Sequence, residues 1–183
     1  MRNLFGALAL ALLTSAAPVL AGDSVEDELI AKLASPSEDK VTTALGQLEE
    51  KFPTSTNALP VMKKLLTDSR VGVRRKAAVV LGAIHAEVDQ TDIKNICAFL
   101  KDSNPRVIIA GLKALRGLNA PTAVPEILPC LNHTSENVIR DACRTLAVLG
   151  NKETIPAIEP LLKSSHSNVR KDAQKAIDEL KAK

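Results

Sequence analysis

Apolar residues along this 183-residue chain recur with the period of an amphipathic α-helix, and the whole pattern repeats about every thirty residues. Four valines serve as reference positions and lie 34, 31 and 31 residues apart: Val73, Val107, Val138 and Val169. A small residue follows each valine by four positions and a leucine or isoleucine by eight: Ala77 and Leu81, Gly111 and Leu115, Ala142 and Leu146, Ala173 and Ile177. These positions share one stripe of a helix, which we term the B helix of each unit.

A second amphipathic helix, the A helix, is predicted before each B helix. Its apolar positions are Leu59, Met62 and Leu66; Ile93, Ile96 and Leu100; Val124, Ile127 and Leu131; Ile155, Ile158 and Leu162. Prolines thirteen positions before three of the valines (Pro60, Pro125 and Pro156) mark first helical turns, where the missing N–H has no partner to lose. Pro129 and Pro160 lie one turn later and are expected to bend their helices.

The pattern predicts an all-α protein, an α-solenoid of about five stacked helical hairpins. Four full units span residues 54–86, 89–119, 120–150 and 152–183, and a degenerate first unit spans 24–52. In that unit Lys40 and Lys51 stand at apolar positions, which suits a terminal unit with one face open to water. A single hairpin cannot bury both faces, so the units must stack. Gly82, Gly117 and Gly150 near the B-helix ends are interpreted as left-handed caps.

The stretch from Leu65 to Gly82 resembles the HEAT-repeat family, in particular the short HEAT-like repeats of the phycobilisome-lyase type. The matching residues are Asp68, Val73, Arg74, Ala77 and the pair Leu81-Gly82. The resemblance covers about residues 24–183 and implies a HEAT-like superhelix whose B helices line the concave surface. In the family, the Asp and the Arg often pair between units. Later units of this chain lack one or both, so we expect no continuous Asp/Arg ladder.

Residues 1–21 are predicted to be a secretory signal peptide that precedes a repeat domain of residues 22–183. Arg2 is the only charged residue, an apolar run extends from Leu4 to Leu13, and Val19 and Ala21 are small residues before the cleavage site. The protein is therefore expected to be exported, either periplasmic or secreted. The alternative is an uncleaved membrane anchor, but the apolar run is shorter than the ~20 residues of a membrane span. We expect no stable membrane insertion after cleavage.

Charge suggests a partner-binding surface on the B helices. Positions two and six after the reference valines are mostly basic and never acidic; the basic ones are Arg75, Lys113, Arg140, Arg144, Lys171 and Lys175. We predict a non-catalytic scaffold or adaptor that binds an acidic protein partner through this surface. The alternative is that these side chains only keep the helices hydrated. A further alternative is a nucleic-acid-binding HEAT-like protein, but nucleic acid is not the expected ligand. The predicted signal peptide argues against it, and aromatic residues for base stacking make up only 2% of the chain.

Candidate chemistry is sparse, and we predict neither an enzyme nor a cofactor. The competing hypothesis is a metal- or thiol-dependent enzyme or redox accessory factor that uses Cys130, His133 and His166, which lie in or near equivalent turns of adjacent units. The simpler interpretation is a buried thiol beside two turn histidines. A Cys97–Cys130 disulfide stays an open alternative, since an exported protein meets oxidising conditions. The oligomeric state is also open.

Overall fold

The computed structural model describes residues 25–183, and the predicted signal peptide lies outside them. Within this range the chain is helical and contains no strand, which confirms the all-α solenoid prediction. The B helices are α2 (Glu38–Lys51), α4 (Val71–Ala83), α6 (Pro105–Gly117), α8 (Glu136–Leu149) and α10 (Ser167–Lys181). The A helices are α1 (Val25–Lys32), α3 (Leu59–Lys64), α5 (Gln90–Cys97), α7 (Val124–Ile127) and α9 (Ile155–Ile158). Each B helix packs on the B helix of the next unit.

The core runs continuously through the stack along the predicted stripes. The four reference valines are no more than 1% exposed, and the small residues four positions later are equally buried. In the first unit, the core positions Leu29, Leu33, Ala44 and Leu48 are buried while Lys40 and Lys51 are exposed. Removing this apolar surface from water, at ~25 cal/mol per Å², is the main force that holds one hairpin against the next.

The A layer is less regular than the B layer. Four A helices continue into 3₁₀ turns, at Leu65–Thr67, Ala98–Lys101, Leu128–Asn132 and Glu159–Lys163. The two longest of these turns contain Pro129 and Pro160, which lack the N–H that an α-helical bond would need at that point. Prolines in these two units therefore shorten the α-helical part to a single turn and convert the rest to 3₁₀ geometry.

The turn between A and B helices is built the same way in all five units. One polar side chain accepts a hydrogen bond from the backbone N–H two residues later. The acceptors and distances are Ser35 (3.2 Å), Asp68 (2.8 Å), Asp102 (2.7 Å), His133 (2.9 Å) and Ser164 (3.2 Å). Aspartate, serine and a histidine ring nitrogen are thus interchangeable here, because the turn requires only an acceptor at that position.

Asp68 and Arg74 do not form the inter-unit pair that the resemblance implied. The carboxylate of Asp68 binds the guanidinium of Arg70, at 2.7 and 2.8 Å, while Arg74 Nη1 donates to the backbone carbonyls of Asp68 and Ser69. Arg170 repeats the arrangement in the last unit by donating to the carbonyls of Ser164 and Ser165. Arg74 and Arg170 therefore stabilise the turns of their own units, whereas Arg70 Nη1 also donates to the Ser35 carbonyl in the preceding turn at 2.9 Å.

The interpretation of the B-helix glycines as left-handed caps is wrong. None of the described glycines has positive φ; the left-handed residues at these ends are His85 and Asn119, with φ of 50° and 49°. Gly82 instead lies where α4 and α6 touch, since a Cβ there would stand 2.8 Å from the Ala114 Cα. The absence of a side chain therefore allows close helix packing.

Candidate protein-binding surface

The B-helix face, meaning the outer surface of helices α2, α4, α6, α8 and α10, contains two grooves. The first, the N-terminal groove, spans α2, α4 and α6 and has a volume of about 510 Å³. The second, the C-terminal groove, spans α6, α8 and α10 and has a volume of about 440 Å³. Each groove crosses three consecutive helices, so the surface curves inward at both places and can receive a partner.

The six predicted binding residues are divided between these grooves. Arg75 and Lys113 line the N-terminal groove. Arg144, Lys171 and Lys175 line the C-terminal groove, and Arg140 lies outside both linings. The predicted binding residues of the B helices therefore do not all line one groove. That these residues bind a partner stays a prediction.

The N-terminal groove also contains charged residues that the sequence analysis missed. Glu38 and Asp39 of α2 contribute carboxylates, while Lys76 and Arg106 add positive charge. Asp39 lies one position before Lys40, which takes the place of the reference valine in the first unit, and Arg106 lies one position before Val107. Both are therefore about one helical turn before the position two residues after the reference residue. Extending the series by one turn toward the N-terminus would have found both.

Side chains in the C-terminal groove are largely paired with each other. Asp172 accepts hydrogen bonds from Arg140 Nε at 2.8 Å and from Arg144 Nη2 at 3.0 Å. Asp141 lies 4.0 Å from both Arg116 and Arg144. We call these five residues, which connect α6, α8 and α10, the C-terminal ladder. The hydrogen bond that Arg140 donates to Asp172 also raises the pKa of the Arg140 guanidinium.

Three predicted binding residues differ from the ladder residues because they are exposed and unpaired. Arg75, Lys113 and Lys171 form no ion pair with any residue between Val25 and Lys183. Lys175 is also exposed and lies 3.7 Å from Glu179 on the same helix. Exposed charges without an internal partner are the ones that can attract an oppositely charged molecule.

The Cys130, His133 and His166 constellation is not assembled. Cys130 is buried in the core, His133 Nδ1 accepts the Ser135 N–H, and His166 Nδ1 lies 3.5 Å from Glu136. Among the described residues, no three His, Cys, Asp or Glu side chains are grouped to hold a metal ion. The reason is that His133 performs the turn role of an aspartate while the Cys130 side chain belongs to the core.

All three cysteines are free thiols in the structure, so the Cys97–Cys130 disulfide is not formed. Burial raises the pKa of Cys97 to about 11 and that of Cys143 to about 12, and it also raises the pKa of Cys130. A thiol must lose its proton to act as a nucleophile or metal ligand. The environment of these cysteines therefore opposes thiol chemistry at neutral pH.

No helix in the described range 25–183 combines the length and apolar character that a bilayer crossing requires.

Stacked hairpins with one continuous core define this chain as an α-solenoid repeat protein. Residues 93–178 match the family model for HEAT repeats. This match shows HEAT repeats in the chain, the family that the resemblance at residues 65–82 predicted. No curated protein sequence matches it.

Solved structures of other repeat proteins have the same fold. The complex of CpcE and CpcF of phycocyanin lyase from Nostoc sp. PCC7120 contains a chain with a TM-score of 0.75 and 21% identity; the match covers 91% of this chain and 69% of that chain. A designed armadillo repeat protein in complex with the peptide (KR)4 has a TM-score of 0.65 and 21% identity, over 83% and 80% of the two chains. A computationally designed armadillo repeat protein for modular peptide recognition has a TM-score of 0.61 and 22% identity, over 83% and 80%. At these identities the likeness establishes the fold alone.

Proposed function

We propose that this protein is a non-catalytic scaffold or adaptor that binds an acidic protein partner through the B-helix face. The observation that carries the proposal is the placement of Arg75, Lys113 and Lys171. Each is exposed, each lines a groove, and none has an ion-pair partner among the described residues. An incoming carboxylate can therefore pair with them without first breaking an internal contact.

The related folds support a binding role in general terms. A phycocyanin-lyase chain with this fold lies in a protein complex, and a designed armadillo repeat protein binds a basic peptide. The exposed groove residues Arg75, Lys113 and Lys171 of this chain are themselves basic, so we assign a ligand of the opposite, acidic charge. Electrostatic attraction of this kind speeds association and weakens with salt.

A binding role also agrees with the state of the thiols. The raised pKa values of Cys97 and Cys143 disfavour thiolates at neutral pH, so a thiol-dependent reaction receives no support from their environment. The curved surface and its charges remain the features available to a ligand.

The proposal places the protein outside the cytoplasm, on the basis of residues 1–21. A fusion of the full chain to a reporter enzyme that folds only after export tests this directly. Reporter activity together with a mature N-terminus near Gly22 is the expected result. An unprocessed, cytoplasmic fusion would remove the extracytoplasmic part of the proposal and leave the binding role untouched.

Binding is tested with a defined probe, a fluorescein-labelled octaglutamate peptide. Fluorescence anisotropy of the label measures its affinity for the protein. The face variant reverses three charges: Arg75→Glu, Lys113→Glu and Lys171→Glu. Reversal replaces attraction by repulsion at three exposed sites, so affinity should fall about tenfold or more. Affinity of the unmodified protein should also fall between about 50 and 200 mM salt.

The matched control reverses three exposed lysines of the A layer: Lys64→Glu, Lys94→Glu and Lys101→Glu. It changes net charge by the same amount and should bind the probe several-fold more tightly than the face variant. Circular dichroism confirms that both variants are folded. Equal affinities for the two variants would show that net charge alone attracts the probe, and the proposed surface would be withdrawn.

A further inference from the structure

The N-terminal groove separates its charges by helix. Glu38 and Asp39 of α2 form one wall, while Arg75 of the middle helix α4 and Arg106 and Lys113 of α6 supply positive charge. These five side chains form no ion pair within residues 25–183. The groove therefore offers negative charge at one end and positive charge across the rest.

Partly apolar surface lies on the same two helices as the basic residues. Val79 and Ile109 are half-buried and line the groove together with the buried Ala110. Their remaining exposed area can be covered by an aliphatic side chain of a ligand, which gains free energy in proportion to the area removed from water. The groove is thus acidic on α2 and combines basic and apolar residues on α4 and α6.

The side chain of Glu38 has room beside α4 because the second residue of that helix is Gly72. A Cβ on Gly72 would lie 2.8 Å from the Glu38 Cδ, so any other residue would displace the carboxylate. The carboxylate lies by the first turn of α4, where the partial positive charge of a helix N-terminus favours an anion. The glycine and the helix N-terminus therefore favour a carboxylate at this wall.

In the C-terminal groove, the charged residues other than Lys171 already have ion-pair partners. Arg116 and Arg144 belong to the C-terminal ladder, and Lys175 lies beside Glu179. A ligand carboxylate there would compete with Asp141 and Asp172, which are already hydrogen-bonded or close to the arginines. Breaking such contacts offsets much of the gain from new ones.

We infer that the partner docks in the N-terminal groove and that the docked piece is a short extended segment of mixed charge. A basic residue of the segment faces Glu38 and Asp39. An aliphatic residue covers Val79 and Ile109, and acidic residues face Arg75, Arg106 and Lys113. This inference rests on the proposed function and narrows it, because it specifies which groove binds and in which direction the charges run.

Groove dimensions set the length of the segment. Two steps between packed helices, from α2 to α6, correspond to ~16–20 Å at ~8–10 Å per step. An extended chain covers ~3.3 Å per residue, so about five or six residues reach from one wall to the other. A segment of this length with a basic start, an aliphatic centre and an acidic end matches the groove.

Two labelled peptides test the inference by fluorescence anisotropy. The mixed peptide is Lys-Lys-Ser-Leu-Ser-Glu-Glu, and the all-acidic peptide is Glu-Glu-Ser-Leu-Ser-Glu-Glu. The unmodified protein should bind the mixed peptide about threefold to tenfold more tightly, because its lysines meet the acidic wall instead of two repelled glutamates. Amide NMR signals of α2, α4 and α6 should shift on titration with the mixed peptide.

The decisive variant is Glu38→Gln with Asp39→Asn, which removes the acidic wall with little change in shape. It should weaken the mixed peptide several-fold and strengthen the all-acidic peptide, so that the preference disappears or inverts. The matched control is Glu153→Gln with Glu159→Gln, two exposed carboxylates of the last A-layer unit, and it should keep the original preference.

The possible outcomes separate this inference from the proposed function. If the unmodified protein binds the all-acidic peptide at least as tightly, or if the NMR shifts lie in α8 and α10, the inference is overturned while an acidic ligand on the B-helix face stands. If neither peptide shifts any signal of the face at millimolar concentration, both are overturned. A preference that depends on Glu38 and Asp39 supports both.

Discussion

Gly117 near the end of α6 lies directly against Gly82 of α4, backbone to backbone. A Cβ on Gly117 would stand 2.7 Å from the carbonyl carbon of Gly82 and 3.0 Å from its Cα. Neither residue has positive φ, so the glycines are required by the contact between units and not by the local backbone conformation. The second and third units are therefore joined at a point where neither helix has room for a side chain.

Substitution of Gly117 by alanine should consequently destabilise the stack. The added methyl group would force α4 and α6 apart, and forced overpacking of this kind costs ~1–3 kcal/mol. Urea unfolding followed by circular dichroism measures the loss in the free energy of unfolding.

Gly46→Ala is the matched control. Gly46 lies inside α2, and a Cβ there would meet only the end of the Lys76 side chain at 3.6 Å. Alanine is the better helix former by ~1 kcal/mol, so this change should leave stability unchanged or raise it. Destabilisation of the same size in both variants would contradict the packing account of Gly117.

His133 should be replaceable by aspartate but not by alanine. Its Nδ1 accepts the Ser135 N–H in the position that Asp68 and Asp102 occupy in earlier units. His133→Asp keeps an acceptor and should leave the free energy of unfolding nearly unchanged, whereas His133→Ala should lose ~0.5–1.5 kcal/mol. Urea unfolding at pH 7 measures both, and equal stability of the two variants would argue against the turn role.

Asp68 should make the protein more sensitive to acid. The hydrogen bonds from the Arg70 guanidinium lower the pKa of Asp68 to about 2, from an ordinary value of 3.8. Because the folded pKa lies below the unfolded one, the unfolded chain takes up the proton first. The stabilisation is therefore present above about pH 4 and is lost as the pH falls toward 2.

The comparison of the intact protein with Asp68→Asn isolates this effect. Between pH 5 and pH 3 the intact protein should lose more of its free energy of unfolding than the variant loses, as measured by urea unfolding at each pH. Arg70→Gln, which removes the first cause of the shift, should reduce the pH dependence as well. Parallel pH profiles for all three proteins would contradict the Asp68–Arg70 assignment.

The cysteines should react slowly in the folded protein. At pH 8 a thiol with a pKa of about 11 is deprotonated about a hundredfold less often than one with a pKa of about 9, so Cys97 should label with Ellman's reagent about a hundredfold more slowly than in urea. Cys143, with a pKa of about 12, should react after the half-buried Cys97. Mass spectrometry of partly labelled protein gives the order, and rapid labelling of the native state would restore the thiol-dependent hypothesis.

Hairpins, core and family were accessible from the sequence because they depend on local helix geometry. The stripe from Val73 to Leu81 is buried as predicted, since residues four apart share one side of any α-helix. The family resemblance was likewise carried by a contiguous stretch. The prediction that Gly82 and Gly117 are left-handed caps was wrong, because a glycine near a helix end is equally consistent with a cap and with a close contact between helices. Only the position of the neighbouring helix distinguishes the two.

Only the outline of the candidate site could be predicted from the sequence. The spacing identified Arg75 and Lys113 as exposed and basic, which the structure bears out. It did not show that Arg140 and Arg144 share Asp172, nor that Glu38 and Asp39 face Arg75 across a groove. A pattern within one helix gives the direction of a side chain but not the rotation and offset of the next helix.

The sequence by itself determined the helical hairpins, their number and order, and which side chains are withdrawn from water, because all of these follow from a 3.6-residue period repeated along the chain. Tertiary structure alone decided which charges are paired, where the surface curves into two grooves and where two backbones meet at Gly82 and Gly117. Those features arise from distances of a few ångströms between neighbouring helices, and such distances are set by the packing of the whole stack.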